Sequence, residues 1–315
     1  MVQGQSRLAD RIAQTIFFIC AILLVVIITG VIVFIATSGI RIFFEHGGAG
    51  IKQFFTSTIW DPTGSDHSDA AGNPVPYYGA LGLIIGSVIT TLLAVIIATP
   101  LSFAVALFFT ELSPRWMAGI LQPLIEIFTG MPSIVIGFLG LITLVPLLAK
   151  AVAPITGGLA TAGYGWGAAT IVLIVMIMPT IISVAIDTLR AVPISVREAS
   201  LALGSTRWQT MWRAVLPAAS AGLGTAVVLG MARAIGEAIA VALVLGGAGF
   251  PTKGFSSITI FFQPNVNITQ AIVNEFGDTT GVARDAYFTL ALVLLVISFL
   301  FICISRYLAS RSVYR

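Results

Sequence analysis

The feature that most constrains this chain is a succession of long apolar runs separated by short charged stretches. Runs at about 12–37, 80–109, 120–149, 165–187, 218–248 and 285–305 carry almost no charge. A helix needs about 20 apolar residues to cross a hydrocarbon layer of about 30 Å, and each run is long enough. Only 9% of the residues are charged, against about 25% in a soluble domain. In lipid, every backbone polar group must be satisfied within its own segment, so these runs are helices. The expected fold is all-α: a polytopic membrane protein with about six transmembrane helices. A secretory signal is the competing reading of the first run. Its apolar core would span about 7–15 residues before a small-x-small site, so 12–37 reads as a retained anchor.

Six spans put both termini on one side. Arg7, Arg11, Arg115, Arg190, Arg197, Arg207, Arg213, Arg306, Arg311 and Arg315 fall on that side. Arg41, Lys52, Lys150, Lys253 and Arg284 fall on the other. The basic excess marks the cytoplasmic face, so both termini are expected there. The net charge of +3 is then a topological bias, and no nucleic-acid partner is implied. Cys20 and Cys303 lie in apolar runs near opposite ends and read as two buried thiols. The outer loop at about 38–79 holds both histidines, His46 and His67, with Gly47-Gly48 and Trp60-Asp61-Pro62. Asp66, His67 and Asp69 read as a solvated loop and not as a metal site.

The third run contains Pro123, Pro132 and Pro146 with Gly130, Gly137 and Gly140. Proline breaks the helix ladder, and irregular backbone survives in a membrane only inside protein or beside a wet cavity. This run is expected to be discontinuous and to line a pathway at Gly130, Pro132 and Ser133; an ordinary proline kink is the alternative. Pro100 predicts a kink in the second span. No internal repeat stands out.

The inner stretch 189–217 reads as two short helices. Ser195 and Glu198 have capping-box spacing, as do Thr206 and Gln209. Val196, Ala199, Ser200 and Leu203 form one weak apolar face, and Gly204 is placed for a left-handed helix end. Trp208, Met211, Trp212 and Val215 form a second face, and Pro217 is expected to end it. Paired helices with an aromatic face are suited to docking.

Glu198-Ala199-Ser200, Gly204 and Leu216-Pro217 stand at the spacing of the Glu-Ala-Ala, Gly, Ile-x-Leu-Pro loop of binding-protein-dependent ABC importer permeases, which this chain resembles. Ser200 replaces the second alanine, and Ala214 stands at the isoleucine position. The resemblance implies an ABC importer type I (MetI-like) permease core whose loop fits a groove on an ATPase subunit. Glu198, Ala199, Ser200, Gly204, Leu216 and Pro217 would form that coupling element. Lys52, Lys150 and Lys253 are the only lysines and none follows a glycine, so a P-loop is missing. The chain is therefore expected to be a transport subunit and no enzyme. It would bind no metal or cofactor itself, with ATP and Mg held by the partner ATPase. The expected organisation is 1–79 (cytoplasmic N-terminus, first span, outer loop), 80–305 (permease core with coupling loop 189–217) and 306–315 (cytoplasmic tail).

The stretches "STIWDPTG", "YYGALGLIIGSVITTLLAVIIATPLSFAVALFFTEL", "IEIFTGMPSIVIGFLGL" and "ARAIGEAIAV" resemble the phosphate importer permeases, over most of residues 50–305. The long outer loop with Trp-x-Pro is more similar to their C-type (PstC) than to their A-type (PstA) subunits. This implies a bacterial inner-membrane protein surrounded by membrane lipid. Its partners would be a second, PstA-like permease subunit, an ATPase dimer and an external phosphate-binding protein. A permease for molybdate or sulfate, an ion-coupled carrier and a membrane-embedded sensor are the other readings.

In that family the arginine and glutamate of the ARAIGE motif serve translocation; here they are Arg233 and Glu237. Arg233 lies midway between 218 and 248. Charges so deep face a bundle interior or water and pair with one another, and Glu237 is one helical turn away. A guanidinium offers a planar donor fork suited to phosphate. Arg233 would meet the anion and Glu237 hold or release it; a purely structural ion bridge is the alternative. Ala218, Gly222, Ala226, Gly230, Ala234, Ala238, Ala242 and Gly246 recur at every fourth position. Such small-residue rows admit close helix packing. The row winds around the axis, which makes span five a central helix with several neighbours.

Overall fold

The computed structural model describes residues 2–44, 50–65, 67, 69, 72–154, 163–247 and 258–310. His46, Gly47, Gly48, Asp66, Lys253, Arg311 and Arg315 lie outside the described residues. The elements are α1 (Val2–Arg41), α2 (Ile51–Thr56), β1 (Trp60–Asp61), β2 (Tyr77–Tyr78), α3 (Leu81–Leu107), α4 (Arg115–Gly130) and α5 (Ser133–Leu139). They continue with α6 (Val145–Val152), α7 (Trp166–Ala191), α8 (Ile194–Ala202), α9 (Arg207–Thr210), α10 (Leu216–Gly236), α11 (Ile239–Leu245), α12 (Ile268–Glu275) and α13 (Gly281–Ser310). Short π-helical turns join α3 to Leu112, α5 to α6 and α9 to α10.

Among the described residues, six segments are long and apolar enough to cross a membrane: Asp10–Arg41, Leu81–Leu112, Ser133–Val152, Trp166–Ala191, Arg207–Gly236 and Gly281–Tyr307. Their outward faces are covered with side chains such as Phe17, Leu24, Ile96, Phe138 and Phe299, which in a membrane protein meet lipid. Helix α1 has an apolar window with no buried residue. It is pinned to α13 near one end, where Thr289 Oγ1 donates to Gly39 O at 2.6 Å. A Cβ on Gly39 would lie 2.9 Å from Phe288 O, so the two backbones touch.

Helix α7 is the centre of the bundle: 61% of its membrane window is buried, against 33% for Arg207–Gly236. Trp166, Leu173, Met176, Ile177 and Ile181 fill the core between α3, α7 and α10. Span five is less buried than α7 but packs on several neighbours, α7, α13 and α3. Gly222 and Gly230 do admit close packing, and both face α7: a Cβ would meet Thr188 at 2.3 Å and Ile181 at 2.5 Å. Gly246 plays another part, ending α11 at φ 89° against Tyr164 and Pro264.

Two spans break, the third as its prolines predicted and the fifth where a continuous helix was expected. The third run is an exposed helix, α4, followed by a separate span. Met131 between them is extended at φ −67° and ψ 134°, because Pro132 excludes the helical conformation at the residue before it. Span five ends as a helix at Gly236, and Glu237 is extended at φ −80° and ψ 112°. No proline marks this second break. Glycine's poor helix propensity meets a glutamate held by other spans.

At the far end of the bundle, α2 and the β1–β2 hairpin fold the outer loop onto α12 and α13. Phe54, Tyr78, Leu83, Ile268 and Tyr287 make a separate core there. Trp60 packs edge-on against Tyr287 with ring centres 5.5 Å apart, and Tyr287 hydrogen-bonds Glu275. His67 pairs with Asp61 at 2.9 Å, while Asp69 caps Asn73 N at 2.8 Å. No metal-binding group of three side chains exists among the described residues. Both cysteines are free and face outward, contrary to the buried thiols expected, because each sits on the lipid side of an apolar helix.

Candidate translocation and coupling site

Helices α8 and α9 project from the end of the bundle opposite the hairpin. Helix α8 starts one residue before Ser195, with Pro193 at its N-cap and no side-chain cap. The Ser195–Glu198 capping box is therefore not formed: proline pre-sets the first turn one residue early. Glu198 is exposed and has no hydrogen bond or ion pair among the described residues. The helix closes with Gly204 N donating to Leu201 O at 2.9 Å and Ser205 N to Ser200 O at 3.3 Å. With Gly204 at φ 82°, this is the paired hydrogen bonding of a glycine-terminated helix end. Helix α9 opens with the expected reciprocal cap: Thr206 N donates to Gln209 Oε1 at 2.9 Å and Gln209 N to Thr206 Oγ1 at 3.3 Å. Ser200 and Thr210 share a 3.0 Å hydroxyl contact that ties α8 to α9.

The aromatic face expected on the second helix is two faces. Met211 and Val215 turn into the bundle, 3% and 0% exposed, while Trp208 and Trp212 point outward at 61% and 51%. The π-helical turn at Met211–Val215 widens the spiral, so helical spacing no longer aligns the four. Nor does Pro217 end the helix. It lies in the first turn of α10, and α9, the π turn and α10 run as one rod, Arg207–Gly236.

Arg197 anchors this projection, and the sequence alone did not flag it. Its Nε and Nη2 donate to Glu111 Oε1 at 3.2 and 3.0 Å. Its Nη1 and Nη2 also donate to the carbonyls of Val192 at 2.7 Å and Leu189 at 2.8 Å. One guanidinium thus joins α8, the last turn of α7 and the π turn after α3. The exposed apolar tip beyond it consists of Ile194, Leu201, Leu203, Trp208 and Trp212.

Deeper in the bundle, Arg233 in the last turn of α10 and Glu237 in the break face each other. Arg233 Nε lies 3.6 Å from Glu237 Oε1, and their side chains are 22% and 14% exposed. Arg233 Nη1 donates to Thr180 Oγ1 at 2.9 Å, and Ser133 stands beside Glu237. Glu237 lines a small cavity with Ser87, Thr90, Thr91, Asn267 and Thr269. A guanidinium has five N–H donors; those of Arg233 not turned to Thr180 or Glu237 have no protein partner among the described residues. Of the lining candidates, Ser133 joins this site, Pro132 is exposed, and Gly130 has open space where a side chain would be. Ala234 is buried beside Arg233, and Ala238 opens α11.

Six helices long and apolar enough to cross a membrane, among the described residues, make this a multi-pass membrane protein. Residues 98–314 match the family described as binding-protein-dependent transport system inner membrane component. The chain belongs to that family and is an ABC importer permease of the MetI type. It is 42% identical to the probable ABC transporter permease protein YqgH of Bacillus subtilis (strain 168), over 98% of this chain and 93% of that one. It is 38% identical to the phosphate transport system permease protein PstC of Pasteurella multocida (strain Pm70), over 82% and 81%. A solved bacterial ABC transporter that imports the acidic polysaccharide alginate shares the fold at TM-score 0.62 and 13% identity, over 98% of this chain and 100% of that one. The MetNI methionine ABC transporter, in an inward-facing form, shares it at TM-score 0.53 and 19% identity, over 73% and 94%.

Proposed function

We propose that this chain is the C-type permease subunit of a bacterial phosphate importer, moving inorganic phosphate inward past Arg233 and Glu237. Both termini and the α8–α9 projection face the cytoplasm in this reading, supported by the basic excess at that end. The exposed tip of α8 and α9 docks on a separate ATPase dimer, where ATP and Mg are bound. A second, PstA-like permease completes the pathway, and an external phosphate-binding protein delivers the anion. An alginate transporter of the same fold has been solved in complex with its alginate-bound periplasmic protein, which supports that mode of delivery. The similarity to PstC supports phosphate.

The observation that carries the reading is continuity. Arg207–Gly236 is one rod from the docking tip to the charged pair, so displacement of the tip moves Arg233 relative to Thr180 and Glu237. Phosphate gives up its hydration to enter a low-dielectric layer, and a half-buried guanidinium with unpaired donors replaces part of it. The test is to purify the chain with its co-eluting partners and measure ATP hydrolysis with the external partner loaded by different anions. Stimulation by the phosphate-loaded form alone is expected; equal stimulation by sulfate- or molybdate-loaded forms would overturn the substrate assignment.

A further inference from the structure

The charged pair is seated by a repeated motif. Met131-Pro132-Ser133-Ile134 and Met178-Pro179-Thr180-Ile181 share the pattern Met-Pro-hydroxyl-Ile in consecutive spans. The first opens α5 and the second lies in the middle of α7. Their two hydroxyls converge on one ion pair. Thr180 Oγ1 accepts from Arg233 Nη1 at 2.9 Å, and Ser133 stands beside Glu237. No other side chain holds either charged group among the described residues.

Close backbone contacts fix both seats. Ile181, next to Thr180, fills the space above Gly230, where a Cβ would meet it at 2.5 Å; Gly230 is one turn before Arg233. Gly137, one turn after Ser133, would place a Cβ 2.5 Å from Ala240 Cα; Ala240 is three residues after Glu237. Each hydroxyl is thus registered against its charged partner by packing that tolerates no slack. The charges themselves stand 3.6 Å apart, beyond the roughly 2.7–2.9 Å of a closed charge-assisted contact.

We infer that Thr180 and Ser133 are positioning residues. Thr180 aims the guanidinium and Ser133 flanks the carboxylate, so that the remaining Arg233 N–H groups stay available to a tetrahedral oxyanion. This rests on the reading of Arg233 and Glu237 as part of the pathway. It predicts that the hydroxyl matters at each seat and the side-chain shape does not.

The experiment measures phosphate uptake per ATP hydrolysed in proteoliposomes of the complete assembled transporter. Thr180→Val and Ser133→Ala each remove a hydroxyl, while Thr180→Ser and Ser133→Thr retain it; Arg233→Gln is measured beside them. The inference expects at least about a tenfold loss of uptake in Thr180→Val and Ser133→Ala, the scale of one hydrogen bond to a charged group. It expects uptake within about twofold of the parent in the hydroxyl-retaining pair, with unchanged thermal unfolding. If Thr180→Val fails to assemble, Thr180→Ala is read against Thr180→Ser in its place. Parental uptake in the hydroxyl-less variants while Arg233→Gln is inactive overturns the positioning role alone. Parental uptake in Arg233→Gln overturns the pathway reading on which it rests.

Discussion

Arg197→Met removes four hydrogen bonds at once: two to Glu111 Oε1 and one each to Val192 O and Leu189 O. The ion-pair side chains are 21% and 17% exposed, so water screens them only in part. The two bonds to Glu111 share one oxygen and count as one charged contact of about 2 kcal/mol; the two carbonyl bonds add about 1 kcal/mol each. Arg197→Met is therefore expected to cost about 4 kcal/mol. Glu111→Gln keeps an acceptor and loses the charge, at about 1 kcal/mol. The double variant isolates the pair, with an expected coupling of about 1.5 kcal/mol. Unfolding in mixed detergent micelles of the parent, both single variants and the double variant gives that number. A coupling below about 0.5 kcal/mol, the value of an ordinary surface pair, would refute the assignment of Arg197 as the brace of the projection.

Gly204→Ala meets no neighbouring atom but holds φ at 82°, so it is expected to destabilise by about 1–2 kcal/mol through backbone strain alone, read as a lower unfolding midpoint. Gly137→Ala forces a Cβ to 2.5 Å from Ala240 Cα and is expected to cost about 1–3 kcal/mol. Gly130→Ala, placed in open space, should leave stability unchanged in the same unfolding assay. Trp208→Ala removes an exposed ring and is expected to change stability by no more than about 0.5 kcal/mol, while the ATPase recovered by co-purification falls.

The spans were legible because lipid imposes one rule on every segment: an apolar helix of sufficient length. Gly204 and the Thr206–Gln209 cap were legible because caps are local chemistry. The break at Gly236–Glu237 was not, since no proline announces it. Arg197 escaped notice because its partner Glu111 is 86 residues away. The outward turn of Trp208 and Trp212 depends on a π-helical turn that residue spacing does not encode. Thr180 carries no mark in its apolar run, because its partner Arg233 is 53 residues away. Arg233 and Glu237 stand 3.6 Å apart across a break, and not as neighbours on one continuous helix face.

The central claim is that Arg233 meets the anion in transit. Phosphate uptake into proteoliposomes of the assembled transporter, driven by ATP, tests it directly with Arg233→Gln. Glutamine keeps a polar side chain, shorter than arginine, and removes the charge. The account predicts loss of uptake while subunit assembly and thermal unfolding stay as in the parent. Full uptake by a normally assembled Arg233→Gln complex would contradict it.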